Sequence, residues 1–175
     1  MISSFSHFPG LSLHMLPCWT ESFTDLRHFK KLVAAVKSLQ PKQPVFVKMG
    51  NEIEIEICDR VIKEALKANI RGFIFSNLVK NRKNPMLNKE ELAKFIKLKG
   101  NFSGKPTEEN ANNLIRIARK KFGNEIAIIG CGGVFSAGDA KAKFEAGADL
   151  VQLITGMIYQ GPQLAGEINS KLLSD

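Results

Sequence analysis

"EIAIIGCGGVFSAGDAKAKFEAGADLVQLITG", residues 125–156, decides the fold. Its opening "EIAIIG" (125–130) is a short apolar, β-branched run of strand length, and it ends where Gly130, Gly132 and Gly133 remove the side chains. Ser136 with Asp139 predicts a capped helix start, and Gly147 predicts its stop. "DLVQLI" (149–154) then reads as a second strand, closed again by glycine in "LITG" (153–156). A strand, a helix and a strand in one short stretch form a βαβ unit, and such a crossover makes the two strands parallel.

Moving toward the N-terminus, the same period repeats. "PVFVKM" (44–49) and "GFIFSN" (72–77) are two further strands, apolar on both sides as strands covered on both faces must be. A helix over about 25–38 places Leu26, Phe29, Leu32, Val33 and Val36 on one side, with Pro41 beyond its end. In 51–69, Ile53, Ile55 and Ile57 alternate like a strand, while Ile57, Val61, Ile62, Ala65 and Leu66 follow helical spacing; the reading is a helix with an irregular first turn. Thr107 precedes Glu108 and Glu109, two acids at the positive end of a helix whose apolar side carries Leu114, Ile115, Ile117 and Ala118. A last helix over about 162–173 carries Leu164, Ile168, Leu172 and Leu173, and Tyr159 is expected to pack against it. Between Asn77 and Pro106 runs a long polar connection whose middle, "LNKEELAKFIKL" (87–98), suits a short helix; connections of this length often serve function, as a lid does.

Length and composition set the frame. A chain of 175 residues with 44% hydrophobic and 24% charged residues is one globular domain's worth of sequence, and no apolar run approaches the roughly 18–20 residues of a membrane-spanning helix. The start, "MISSFSHFPGLSLHMLPCWTESF" (1–23), lacks the basic beginning and continuous apolar centre of a secretory signal, so a cytoplasmic protein is expected. Cys18, Cys58 and Cys131 have no paired spacing, and His7, His14 and His28 add no ligand pattern, which argues against a disulfide framework and against a metal site. The net charge of +8 suits nucleic acid, anionic lipid or a phosphorylated ligand alike. Basic residues are nevertheless scattered, and "KNRKNP" (80–85) has no interleaved aromatics, so these charges read as a solvated face and not as a nucleic-acid site.

The glycines raise a chemical question. A strand running into Gly132 and Gly133 lets backbone amides meet an anion with no side chain between, although a glycine-rich turn without a ligand has the same sequence. A dinucleotide fingerprint would need glycine at position 135, where Phe135 stands. The next strand end offers Ile154, Thr155 and Gly156 as a second set of amides. In (β/α)8 barrels the loops after the last two strands commonly build a phosphate site in this way.

On these residues the chain resembles the flavin-dependent dihydroorotate dehydrogenases, especially the quinone-using class. The run 128–168 is similar to that family's C-terminal part, "GNFSGKP" (100–106) to its GGLSGKP, "VFVKM" (45–49) to its VLVKI and "FSN" (75–77) to its TN motif; "ISSFSHFPGL" (2–11) resembles the loop of its catalytic serine. The resemblance implies FMN as cofactor, oxidation of dihydroorotate to orotate with hydride transfer to FMN in pyrimidine biosynthesis, and a quinone as electron acceptor. It also implies peripheral contact with a membrane.

By the same resemblance, Lys48 approaches the flavin ring, Ser76 and Gly104 contact the flavin, and Gly132, Gly133, Ile154 and Thr155 form the phosphate cradle. Asn77 binds the substrate, and Ser4 is the catalytic residue that removes a proton from it. The chain departs from the family at Met1, Phe5, Ser6 and Leu78, the last standing where the family has a substrate-contacting threonine. The implied architecture is α/β, the C-terminal half of a (β/α)8 TIM barrel with about four parallel strands: an irregular segment 1–24, then a half-barrel FMN-binding-type domain 25–175. A half-barrel with open edges is expected to self-associate or to pair with an N-terminal half. Two other readings stay open: a non-catalytic half-barrel that holds FMN or another phosphate, and a decayed remnant.

Overall fold

The computed structural model describes residues 25–88, 90, 92–93 and 100–174, together with the backbone of residues 15–16. The four expected strands are present and all parallel: β2 (Phe46–Lys48), β3 (Gly72–Phe75), β4 (Ala127–Cys131) and β5 (Leu150–Gln152). A two-residue strand, β1 (Met15–Leu16), pairs with Phe46 and Val47 inside the stretch 1–24 that the sequence pattern left irregular; two residues are too few to show a period. The sheet order is β1-β2-β3-β4-β5, the order of the chain. Parallel neighbours joined in sequence by right-handed crossovers put every connecting helix on the same face, so the sheet is singly wound, as in a barrel wall, with no switch point.

The connecting helices are α1 (Leu26–Ser38), α2 (Ile55–Lys67), α3 (Glu108–Phe122) and α4 (Ala137–Ala146), followed by α5 (Thr155–Gln160) and α6 (Leu164–Ser174). Their ends follow local chemistry. The Asp25 carboxylate accepts the Arg27 N–H at the start of α1, and the Ser136 hydroxyl accepts the Asp139 N–H at the start of α4. Gly147 ends α4 in the left-handed conformation. Thr107 does not cap α3; it lies in a 3-10 turn (Lys105–Thr107), and its hydroxyl donates to the Gly104 carbonyl at 2.7 Å. The helical pattern of 51–69 resolves at Ile55, which leaves Ile53 outside the helix.

One apolar layer lies between sheet and helices, built from Phe29 and Val33 of α1, Val61, Ile62 and Ala65 of α2, Leu114 and Ile115 of α3, and Phe73, Phe75 and Ile128 of the sheet. Strand side chains alternate between faces, so the intervening Lys48, Ile74 and Ile129, which stand in register across β2, β3 and β4, look to the opposite face. Gly130 on the helix side leaves room for Lys143 of α4, whose buried ammonium donates to Asn112 Oδ1 at 2.7 Å. Burial pulls the Lys143 pKa down to about 8. A smaller cluster joins Val134, Ala140, Leu164 and Ile168 beneath β5. That strand is less covered than the sequence pattern implies, because it is the sheet edge among the described residues and Leu150 stays exposed.

The long connection after β3 is pinned at its base. Val79 and Phe102 exchange backbone hydrogen bonds at 2.9 and 2.8 Å, and the Glu52 carboxylate accepts the amides of Lys80 and Asn81. Within it Glu90, Leu92 and Ala93 are helical; the rest of 94–99 lies outside the described residues. Among the described residues, no helix is long and apolar enough to cross a membrane.

Candidate phosphate and flavin cleft

A cleft of about 240 Å³ opens at the carboxyl ends of β2, β3, β4 and β5. Every predicted site residue that is described lines it: Lys48, Ser76 and Asn77 from the β2 and β3 ends, Gly104 from the connection before α3. Gly132 and Gly133 join them after β4, and Ile154 and Thr155 after β5. Ser4 lies outside the described residues. A larger depression of about 550 Å³ lies at the helix side, between α1 and α2. Of its lysines, Lys30 and Lys67 are held by Glu64 and Lys63 by Asp59, and no strand end lines it, so the strand-end cleft is the better site.

The glycines after β4 are required by backbone geometry and by crowding. Gly132 and Gly133 have φ of +102° and +75°, which L side chains rarely adopt. A Cβ on Gly132 would sit 2.2 Å from Thr107 Oγ1, and one on Gly133 2.3 Å from Glu108 Cβ. The direction a side chain would take is therefore filled by the start of α3, which adds a packing reason to the sequence argument for ligand approach. The β5 loop lies against this one, since a Cβ on Gly156 would come 2.2 Å from the Val134 carbonyl oxygen. Gly104 closes the group: its own Cβ would fall 3.2 Å from Thr155 Cγ2 and 3.4 Å from Phe135 Cζ. Three backbone loops thus meet at one end of the cleft.

A charged network fastens them. Lys105 Nζ bonds Asp139 Oδ1 at 2.6 Å and Glu108 Oε2 at 2.8 Å, and Asp139 Oδ2 accepts the Phe135 amide at 2.9 Å. Burial works against the Lys105 charge, but the Asp139 and Glu108 carboxylates outweigh it and raise its pKa. For Asp139, burial is likewise outweighed by Lys105 and by the Phe135 and Ser136 bonds, so its carboxyl is held below the ordinary value. Sequence reading saw Asp139 only as a helix cap and Lys105 only as part of a motif; their pairing across 34 positions has no local signal.

At the other end the cleft is made of side chains. Lys48 is half-buried as the last residue of β2. The buried Ser76 is held by its amide, which donates to Cys131 O at 3.0 Å, and the Asn77 amide donates to Met49 O at 2.9 Å. Burial pushes the Cys131 thiol up despite nearby Lys48 and Lys143, which disfavours its thiolate. Leu78, in the cleft wall, is 38% exposed. Asn51, which sequence reading missed, bonds Ser76 from behind the wall. Tyr159 departs from expectation: it does not pack on α6 but stays exposed, with its ring tilted against Phe135 at 6.4 Å.

Comparison with known proteins agrees with this architecture. The family model described as Dihydroorotate dehydrogenase matches residues 20–175. Dihydroorotate dehydrogenase (quinone) of Brucella ovis is 40% identical over 130 residues, covering 73% of this chain and 34% of the relative. The protein of the same name from Mesorhizobium japonicum is 41% identical over 139 residues, covering 79% of this chain and 37% of its own length. The chain thus spans about a third of the length of the curated relatives it matches. Among solved structures, ligand-free DHODH from Eimeria tenella superposes with a TM-score of 0.76 at 23% identity, over 87% of this chain and 46% of that one, and shares the fold. The singly wound sheet is half of a (β/α)8 barrel. With glycine loops after its last two strands and a family match running almost its full length, the chain belongs to the dihydroorotate dehydrogenase family.

Proposed function

We propose that the cleft binds FMN and serves the oxidation of dihydroorotate to orotate. The observation that carries this reading is the meeting of three backbone loops, at Gly104, Gly132–Gly133 and Thr155–Gly156, beside a lysine-bearing strand end. Backbone amides on these glycine loops suit a phosphate dianion, and a lysine on β2, separated from β4 by β3, suits an electron-accepting ring. When bound, FMN supplies the two-electron acceptor for the hydride that leaves the substrate.

The chain's own residues do the rest. Gly132, Gly133, Ile154 and Thr155 grip the phosphate through the backbone, so an isoleucine is tolerated among them. Lys48 favours electron density on the neighbouring ring through its charge. The Asn77 amide, able to donate and to accept, orients the pyrimidine acid. Ser4 takes the proton from one substrate carbon while the adjacent carbon loses a hydrogen with its electron pair, which balances the formation of the new double bond. A quinone is the terminal acceptor, as the names of the Brucella and Mesorhizobium relatives suggest, and meeting it calls for a protein peripheral to a membrane. The open strand edges favour self-association or pairing with a further half-barrel.

Leu78 favours a second reading, in which FMN is held without turnover. It brings no hydrogen bond where the family has a threonine hydroxyl, and so weakens the grip on orotate. Titrating the protein with FMN and then adding dihydroorotate without oxygen separates these readings. Bleaching of the flavin absorbance supports the dehydrogenase, a bound but unbleached flavin supports the binding module, and no binding contradicts both. Ser4→Ala is expected to leave FMN affinity unchanged and to abolish bleaching.

A further inference from the structure

Asn51 follows β2 in a tight turn and is 1% exposed, yet it is polar. Its Nδ2 lies 2.6 Å from Ser76 Oγ and 2.9 Å from the Thr107 carbonyl oxygen. A carbonyl only accepts, so the atom facing Thr107 is the amide nitrogen, and both of its protons are committed. The Ser76 hydroxyl therefore receives a hydrogen bond from Asn51. Among the described residues its own proton has only a long contact with the Asn77 carbonyl, at 3.4 Å, and remains available to a better acceptor in the cleft that Ser76 lines.

Asn51 also ties this hydroxyl to the far wall. Thr107 turns back on Gly104, its amide and its hydroxyl both donating to the Gly104 carbonyl at 3.0 and 2.7 Å. Asn110 of α3 in turn donates to the Asn51 carbonyl. The Asn51 side chain thus links the β2 turn to the β3 end and the Gly104 loop, and its main-chain carbonyl adds the first turn of α3. The link has a cost, because Asn51 Oδ1 is buried with no hydrogen-bond partner among the described residues. An orphaned buried carbonyl costs about 1–3 kcal/mol, but an apolar residue here would in its turn leave the Thr107 carbonyl without its Asn51 donor. What an apolar residue would lack is the pair of donors.

We propose that Asn51 is a positioning residue: from behind the cleft wall it commits the Ser76 hydroxyl to donating toward a bound ligand and couples it to the loop that carries Gly104. The identity of that ligand as FMN rests on the function proposed above. Asn51 does not line the cleft and acts only through Ser76 and Thr107.

The test compares FMN dissociation constants of the unaltered protein, Asn51→Asp, Asn51→Ala, Ser76→Ala and Asn51→Ala with Ser76→Ala. Asn51→Asp and Ser76→Ala are each expected to weaken binding by about tenfold, the loss of one oriented hydrogen bond. The double variant should bind no worse than Asn51→Ala. The Asn51→Asp defect, taken as a ratio to the unaltered protein, should shrink on acidification, because a protonated carboxyl regains a donor. A general loss of packing would not respond in this way. Additive losses, or an Asn51→Asp protein that binds FMN as the unaltered one does, would overturn the proposal. If the unaltered protein takes up no FMN, the flavin reading fails by itself, and urea unfolding of the same set decides the rest. Coupling between the two positions upholds the Asn51–Ser76 link; additivity refutes it. Asn51→Ala carries the test if the buried aspartate does not fold.

Discussion

The two ends of the cleft are built from different materials. After β4 and β5 it is made of main chain, with Gly104, Gly132, Gly133 and Gly156 packed so closely that a methyl group on any of them meets a neighbour. After β2 and β3 it is made of side chains, Lys48, Ser76, Asn77 and Leu78, standing on strand ends that the sheet hydrogen bonds hold in register. A backbone cradle tolerates variation in side chains and forbids it at glycine. The side-chain end has the reverse sensitivity: substitutions there keep the fold and change the chemistry.

The largest effect is expected where the backbone end is overfilled. Gly133→Val places a side chain at φ +75° against Glu108, whose Cα would be 3.0 Å from the new Cβ, so the chain itself must move. It should cost about 3 kcal/mol in urea unfolding and weaken FMN binding about a hundredfold, to the level of riboflavin. Gly156→Ala comes next. Its Cβ meets the Val134 carbonyl oxygen, part of the backbone, and pushes the two loops apart; a fluorescence titration should show FMN binding weakened about tenfold, equivalent to about 1.4 kcal/mol. If that variant binds as the unaltered protein does, the loops do not act together.

Lys48→Met sharpens the comparison from the other side. The fold should change by no more than about 0.5 kcal/mol, while the potential of the bound flavin should fall by about 30 mV, or about 1.4 kcal/mol for a two-electron couple. Spectroelectrochemistry reads the shift, and an unchanged potential would remove Lys48 from the ring's surroundings.

Asp139→Asn tests the network that fastens the loops. It should cost about 1 kcal/mol at neutral pH, a modest figure because Lys105 is nearly half exposed and solvent screens its charge. The pH dependence has a definite sign. Asp139 is held below 3.8, so its contribution is present above that value and lost as pH falls through the folded pKa. Lys105 is held above 10.5, so its share is complete below that value and lost as pH rises past its folded pKa. The stability gap between the two proteins should therefore be widest between these limits and close toward either one. The smallest effect belongs to Ile154→Ala. That side chain is 60% exposed, and both stability and FMN affinity should stay within about 0.5 kcal/mol of the unaltered protein.

The same contrast explains what could be read from the sequence. Strands, helices and the glycine loops are written in local patterns, period, caps and turn residues, and they emerged at nearly their observed places. The links that assemble the site are not local. Asn51 meets Ser76 across 25 positions and Lys105 meets Asp139 across 34, distances over which no periodicity speaks. The burial of Lys143 likewise has no local signal, since it depends on β4 bringing Gly130 beneath it. The expectation that Tyr159 packs against the last helix fails because the short helix α5 carries it toward Phe135.

The backbone cradle is tested most directly by comparing FMN with riboflavin, which differ only in the phosphate. Isothermal titration should show FMN binding at least about a hundredfold tighter, about 2.7 kcal/mol, with the advantage lost in Gly133→Val. Riboflavin binding as tightly as FMN would contradict a phosphate grip by these loops, and so would an FMN advantage that survives Gly133→Val in a folded protein.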